Sequence, residues 1–193
     1  MAKLEAKIED QKVNAGDVEV RDAILDKADF LKNEALDYPE AEKIYRLAYE
    51  KSGGASKKME ILFEILLMNI EKQDIDEVKK DINKCLQLVE EGADWDKKNK
   101  LKIFEGVYCM MIRDLKKAAA LFISSVATFT CVELMDYKTF VFYAVVTAMV
   151  SVDRKTIRKD VIHSPDILAI IREIPNLKLF LESFYNCEYK LFF

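Results

Sequence analysis

Apolar residues recur at helical spacing along most of the chain. From about Asp22 to Lys51, Ile24, Ala28, Leu31 and Ala35 fall on one helical face. Pro39 then opens a second helix carrying Ala41, Tyr45 and Ala48. The stretch SGGAS, Ser52 to Ser56, predicts the clearest loop. A second pair begins near Lys57. ILFEILLMNI, Ile61 to Ile70, is apolar on most faces, which predicts cover on both sides. EKQDID makes a turn, and the helix after it carries Val78, Ile82 and Cys85. Gly92 fits the position just past that helix, with Asp94 or Asp96 as the next N-cap. A third pair starts at about Lys97, with Leu101, Phe104, Val107, Tyr108 and Met111 in its first helix. Ala118, Phe122 and Ser125 lie in its second. Further helices are predicted over Met135–Val152, after Ser164-Pro165-Asp166 as far as Pro175, and along the stripe Leu177, Phe180, Leu181, Phe184.

The three second helices share one pattern. Ala41/Tyr45/Ala48, Val78/Ile82/Cys85 and Ala118/Phe122/Ser125 each read small or medium, large, small at offsets of four and three. Their starts are 37 and 40 residues apart. This resembles the tetratricopeptide helical hairpin, in which small residues let helices approach and the large one fills the gap. The Trp and Leu-Gly signature of that repeat's first helix is absent, although Gly106 stands twelve residues before Ala118, as the repeat expects. The expected fold is all-α, with tetratricopeptide-like helical-hairpin repeats forming a right-handed α-solenoid.

The most apolar stretch is ELMDYKTFVFYAVVTAMV, Glu133 to Val150. Its apolar part, Phe140 to Val150, has eleven residues between Lys138 and Asp153. A span needs about 20, so a helix buried on most sides is expected. Composition agrees: 193 residues, 51% hydrophobic and 33% charged, with five Gly and three Pro, favour a packed chain of long helices. A net charge of −4 argues against a broad basic face for nucleic acid. Cys85, Cys109, Cys131 and Cys187 are far apart, with no zinc or disulfide spacing, so buried reduced thiols are expected. MAKLEAKIEDQK has no apolar core of a secretory signal. The apolar ending YKLFF is read as the edge of a fragment whose natural protein continues.

Candidate chemistry is sparse. His163 is the one histidine, so a Ser/His or Cys/His pair would have to use it. In VIHSPD it reads as a loop or packing residue. Gly53-Gly54 lacks the Lys-Ser/Thr of a phosphate cradle. Asp74-x-Asp76 starts like a calcium loop, but Val78 takes the next ligand position and the glycine is missing, so it reads as a turn. Asp94 and Asp96 beside Trp95 read as helix-start acids, and Lys97–Lys100 (KKNK) as a solvated first turn. No catalytic, cofactor-binding or metal-ligating residue is proposed.

Three stretches carry a family resemblance: EEGADWDKKNKLKIFEGVYCMMIRDLKKAAALF (Glu90–Phe122), TFTCVELMDYKTFVFY (Thr128–Tyr143) and IPNLKLFLESFYNCEYKLFF (Ile174–Phe193). VRDAILDKADFL (Val20–Leu31) agrees. They resemble the PCI-family subunits of the 26S proteasome lid, in particular the non-ATPase regulatory subunit six family (subunit seven in yeast naming). The first subunit of the COP9 signalosome is the nearest paralogue, and Glu133–Phe140 favours the proteasomal side. The resemblance implies a non-catalytic scaffold of the regulatory particle in ubiquitin-dependent degradation, cytoplasmic and nuclear. Its partners would be other lid PCI subunits and the ATPase ring, with no nucleic acid, membrane, cofactor or small-molecule substrate. It implies a lead-in over 1–20, the repeats over 21–130, and helices over 131–193 that start the PCI domain, with its winged helix beyond Phe193. A free-standing repeat adaptor binding peptides is the alternative of another class. An enzyme dependent on His163 comes last. Glu133–Phe140 is left open between packing and partner contact.

Overall fold

A computed structural model describes residues 17–193 together with Glu5, Ile8 and Glu9. Most of the lead-in expected over 1–20 lies outside the described residues. All regular elements among the described residues are helical, so the all-α expectation holds. The chain divides into two compact units at Lys97/Lys98.

The first unit contains α1 (Asp17–Asn33), α2 (Tyr38–Lys51), α3 (Ala55–Glu71) and α4 (Ile75–Glu90). Helices α1 and α2 pack as one hairpin, α3 and α4 as a second, and α2 lies against α3. The second unit holds most of α5 (Trp95–Met111), with α6 (Leu115–Ser125) and α7 (Tyr137–Ser151). It continues through a turn of α-helix (Arg154–Thr156), a π-helical segment (Ile157–Ile162), α8 (Pro165–Ile170), α9 (Leu177–Asn186) and α10 (Tyr189–Phe192).

The same turn closes the hairpins. A non-glycine residue takes left-handed backbone, and an aspartate follows as N-cap: Leu36-Asp37 (φ 52°), Gln73-Asp74 (φ 59°) and Arg113-Asp114 (φ 63°). Each Asp Oδ1 accepts from the backbone N–H three residues on, at 3.3 Å from Glu40, 3.2 Å from Glu77 and 3.2 Å from Lys117. That bond satisfies one of the helix-start amides that lack an intrahelical partner. The preceding helix end is closed reciprocally. Gln73 N–H bonds Ile70 O and Asp74 N–H bonds Asn69 O, both at 3.0 Å, and Arg113 and Asp114 repeat this on Met110 O and Cys109 O. This is a Schellman closure. The same backbone recurs at Cys187-Glu188: Cys187 has φ 61°, Cys187 N–H bonds Phe184 O, and Glu188 N–H bonds Ser183 O at 2.9 Å. There the N-cap side chain makes no capping bond.

The nine small-large-small positions of α2, α4 and α6 are all buried, none more than 3% exposed. In the second unit α5 and α6 approach so closely that a Cβ on Gly106 would lie 2.5 Å from Cε1 of Phe122. Phe122 in turn meets Phe140 of α7 edge-on, with ring centroids 5.4 Å apart. Helix α7 buries Phe140, Val141, Ala144, Val145, Thr147, Ala148 and Met149, with α8 and α9 also against it. Its polar members are satisfied within the helix: Thr147 Oγ1 donates to Tyr143 O at 2.6 Å and Ser151 Oγ to Thr147 O at 2.6 Å. The apolar run is therefore a core helix, and no described helix is long and apolar enough to cross a membrane.

Several expected boundaries move. Ala35 is exposed beyond the end of α1, because closure onto Phe30 O lifts it off the helix. The SGGAS loop shrinks to Ser52–Gly54, since Gly54 (φ 85°) caps α3 and Ala55 and Ser56 are already helical. Helix α7 starts two residues later than Met135 and ends at Ser151. The helix after Pro165 ends at Ile170 in a 3-10 turn, before Pro175. Residues 154–162 were not anticipated as helical. Asp153 caps this stretch, accepting from Lys155 N–H at 3.1 Å and Thr156 N–H at 3.2 Å, and Ile157 and Val161 are buried one turn apart.

Candidate interaction surfaces

In the first unit an ion network ties three helices. The Asp81 carboxylate of α4 is fully buried. It accepts from Arg46 of α2 at 3.1 and 3.2 Å, from Asn69 of α3 at 3.3 Å and from Lys84 at 3.1 Å. A buried carboxylate is costly unless donors surround it, and four donor contacts do so here. Arg46 also holds Glu42 at 2.7 Å and Glu77 at 3.4 Å, and Lys72 reaches Glu42 at 3.0 Å. Burial raises the pKa of Glu42, but hydrogen bonds from Arg46 and Lys72 outweigh it and leave the group below the usual carboxylate value. The Tyr45 hydroxyl donates to Asp29 of α1; burial first, then that carboxylate, push its pKa up. The network sets the relative placement of neighbouring hairpins. The sequence carried one overlooked signal: Asp81 shares the inward face of Val78, Ile82 and Cys85.

The chemical candidates do not converge. His163 follows the π-helical segment as its C-cap and is exposed beside Arg158 and Glu182. Asp74 is an N-cap and Asp76 a first-turn acid, as the turn reading requires. Asp94 immediately precedes α5 and Asp96 sits in its first turn, while Trp95 is 65% exposed. The KKNK run is not simply solvated. Lys97 pairs with Glu60 at 2.5 Å, Lys100 with Glu133 at 3.0 Å, and Asn99 is buried, because one helical turn brings these positions onto packed faces. No group of three potential ligands that could hold a metal ion is found among the described residues.

Three thiols are buried and Cys187 is not, which corrects the expectation for that residue. Burial, then the charge of Asp81, push Cys85 up to about 12; burial pushes Cys131 to a similar value. At Cys187, Arg154 Nη2 lies 2.9 Å from Sγ, and bonds from Arg154 and Tyr189 hold this thiol below its ordinary value. The same Nη2 donates to Tyr185 O at 2.6 Å, so the guanidinium also closes the carbonyl end of α9.

Within Glu133–Phe140 the packing reading takes Tyr137, whose ring lies 5.4 Å from Phe129 and whose hydroxyl points to Val126 O. Lys138 instead lies at the surface, paired with Glu173 at 2.9 Å. It borders an open apolar groove floored by Phe142, Ile174, Pro175 and Leu179. Lys178 and Glu182 pair at 3.5 Å on the far rim. Arg172 also lines the groove and is exposed, with no ion-pair partner among the described residues.

Comparison with known proteins decides the family. Residues 1–160 match the family model described as 26S proteasome subunit RPN7. The chain belongs to the RPN7 family. It is 42% identical over 196 residues to the 26S proteasome non-ATPase regulatory subunit 6 of Oryza sativa subsp. japonica, covering 99% of this chain and 49% of that protein. The homologous Arabidopsis thaliana subunit is 42% identical over 193 residues, covering 100% of this chain and 50% of its own length. The Saccharomyces cerevisiae 26S proteasome regulatory subunit RPN7 is 29% identical over 160 residues, 81% of this chain and 37% of its own. The chain thus spans about half the length of the plant relatives. The resemblance seen in Glu90–Tyr143 is the RPN7 family relation.

Proposed function

We propose that the chain serves as a non-catalytic scaffold of the proteasome regulatory particle lid, holding neighbouring subunits in ubiquitin-dependent protein degradation. The observation that carries this reading is the RPN7 match over residues 1–160. The names of the plant relatives, identical at 42% over essentially the whole chain, support it. In this reading residues 21–130 supply a helical-repeat arm and 131–193 lead into the PCI module. The partners are lid PCI subunits and the ATPase ring, in cytoplasm and nucleus. Repeat hairpins suit the task, since burying the small-large-small positions leaves outer faces for other proteins. The test is affinity purification of the tagged protein from its own cells, with the co-purifying proteins identified by mass spectrometry. Lid subunits and ATPases are the expected result. Signalosome subunits would replace the proposal with the paralogue, and a discrete unrelated partner would replace it with an adaptor.

A further inference from the structure

We propose that the groove of Phe142, Ile174, Pro175 and Leu179 is a docking site for a segment of another subunit that presents an apolar side chain beside a carboxylate; this rests on the assembly reading above. The floor is apolar: Phe142 is 41% and Leu179 47% exposed, and Ile174 and Pro175 join the two depressions into one surface. Contiguous exposed apolar surface with a polar rim marks an interaction site.

Charge selects the occupant. Both rim carboxylates are already engaged, Glu173 by Lys138 at 2.9 Å and Glu182 by Lys178 at 3.5 Å. Among the described residues Arg172 is left over as an unpaired cation on the same groove. The start of α9 adds positive character there, because Asn176 takes left-handed backbone (φ 61°) and its side chain makes no capping bond. The chain as a whole is net negative, so this cationic spot is local. An apolar anchor would fill the floor while its neighbouring carboxylate met the Arg172 fork, and a basic segment would be repelled. A second copy of this chain bringing the same groove would set one locally cationic surface against another, which disfavours self-association through this face.

The test places a photo-reactive benzoylphenylalanine at Leu179 in the protein as its cells make it. Regulatory-particle subunits that co-purify are scored in the same sample. The expected result is a crosslink to a segment of another subunit with Asp or Glu within one helical turn of the linked residue. Its yield should fall about tenfold with Arg172→Glu and less with Arg172→Gln, while co-purification persists. Co-purification without a crosslink overturns the docking site alone. So does a crosslink indifferent to Arg172→Glu, one to a segment lacking carboxylates, or one to a second copy. Loss of co-purification by the unsubstituted protein overturns the assembly reading and this one with it.

Discussion

Replacing Gly106 by Ala should be harmful only while Phe122 is present. A Cβ at position 106 would lie 2.5, 2.9 and 3.0 Å from three carbons of the Phe122 ring. Carbon atoms prefer about 3.5–4.0 Å, so the ring would have to retreat by roughly 1 Å. It has nowhere to go, since it is fully buried and Phe140 stands edge-on 5.4 Å away. Overpacking of this kind costs about 1–3 kcal/mol. Ala in place of a helical Gly returns about 1 kcal/mol, leaving a net loss of roughly 0–2 kcal/mol. Phe122→Ala alone should cost roughly 3–5 kcal/mol through the cavity it leaves. In that background the clash is gone, and Gly106→Ala should stabilise by about 1 kcal/mol. The substitution therefore changes sign, with a coupling of roughly 1–3 kcal/mol. Urea unfolding followed by far-ultraviolet circular dichroism on the four variants measures this, provided the denaturant slope stays constant. A stabilising Gly106→Ala in the unsubstituted chain, with coupling below about 0.5 kcal/mol, would refute the close α5–α6 approach.

At the α3–α4 turn, Asp74→Ala should cost about 1 kcal/mol and lower the melting temperature by roughly 2–4 °C, while Gln73→Gly relieves left-handed strain and raises it. Thermal melts check both, and a stabilising Asp74→Ala would remove the cap from the account. Of the four cysteines, only Cys187 should react with a thiol reagent in the native chain at neutral pH, and Arg154→Ala should slow it; four thiols should appear on denaturation. More than one fast thiol in the native chain contradicts the burial of Cys85, Cys109 and Cys131. Glu42 has a folded-state pKa below its ordinary 4.5, so its contribution to stability is full above that value and lost as pH falls through the folded one. Glu42→Gln should thus shrink the acid-side loss of stability, and unfolding midpoints between pH 3 and 6 that fall as steeply as before would refute it.

The hairpin positions were legible because helical period and side-chain size both report packing. Tyr45, Ile82 and Phe122, spaced four and three from small or medium residues, stand out in the sequence and are buried. Glycine usually signals left-handed helix termination, and Gly92 (φ 104°), just past α4, does so as expected; at four other helix ends it gives no signal. Leu36, Gln73, Arg113 and Cys187 take that backbone instead, so closure is driven by the bonds it completes rather than by local preference. Asp81 was missed because its partners come from two other helices, and sequence spacing along α4 cannot reveal them. The π-helical segment was missed for a similar reason: Ile157 and Val161 read as an unremarkable apolar pair without α7 to pack on.

The groove was illegible for a different reason. Lys138, Glu173, Lys178 and Glu182 look alike in the sequence, and pairing decides which of them remain available to a partner. Exposed pairs contribute little to stability, yet each still occupies a charge that a partner would otherwise address. In a chain that is 33% charged, charge density therefore does not mark a binding surface. What marks one is a charge without a partner next to apolar area without cover. Arg172 beside Ile174 and Leu179 meets both conditions.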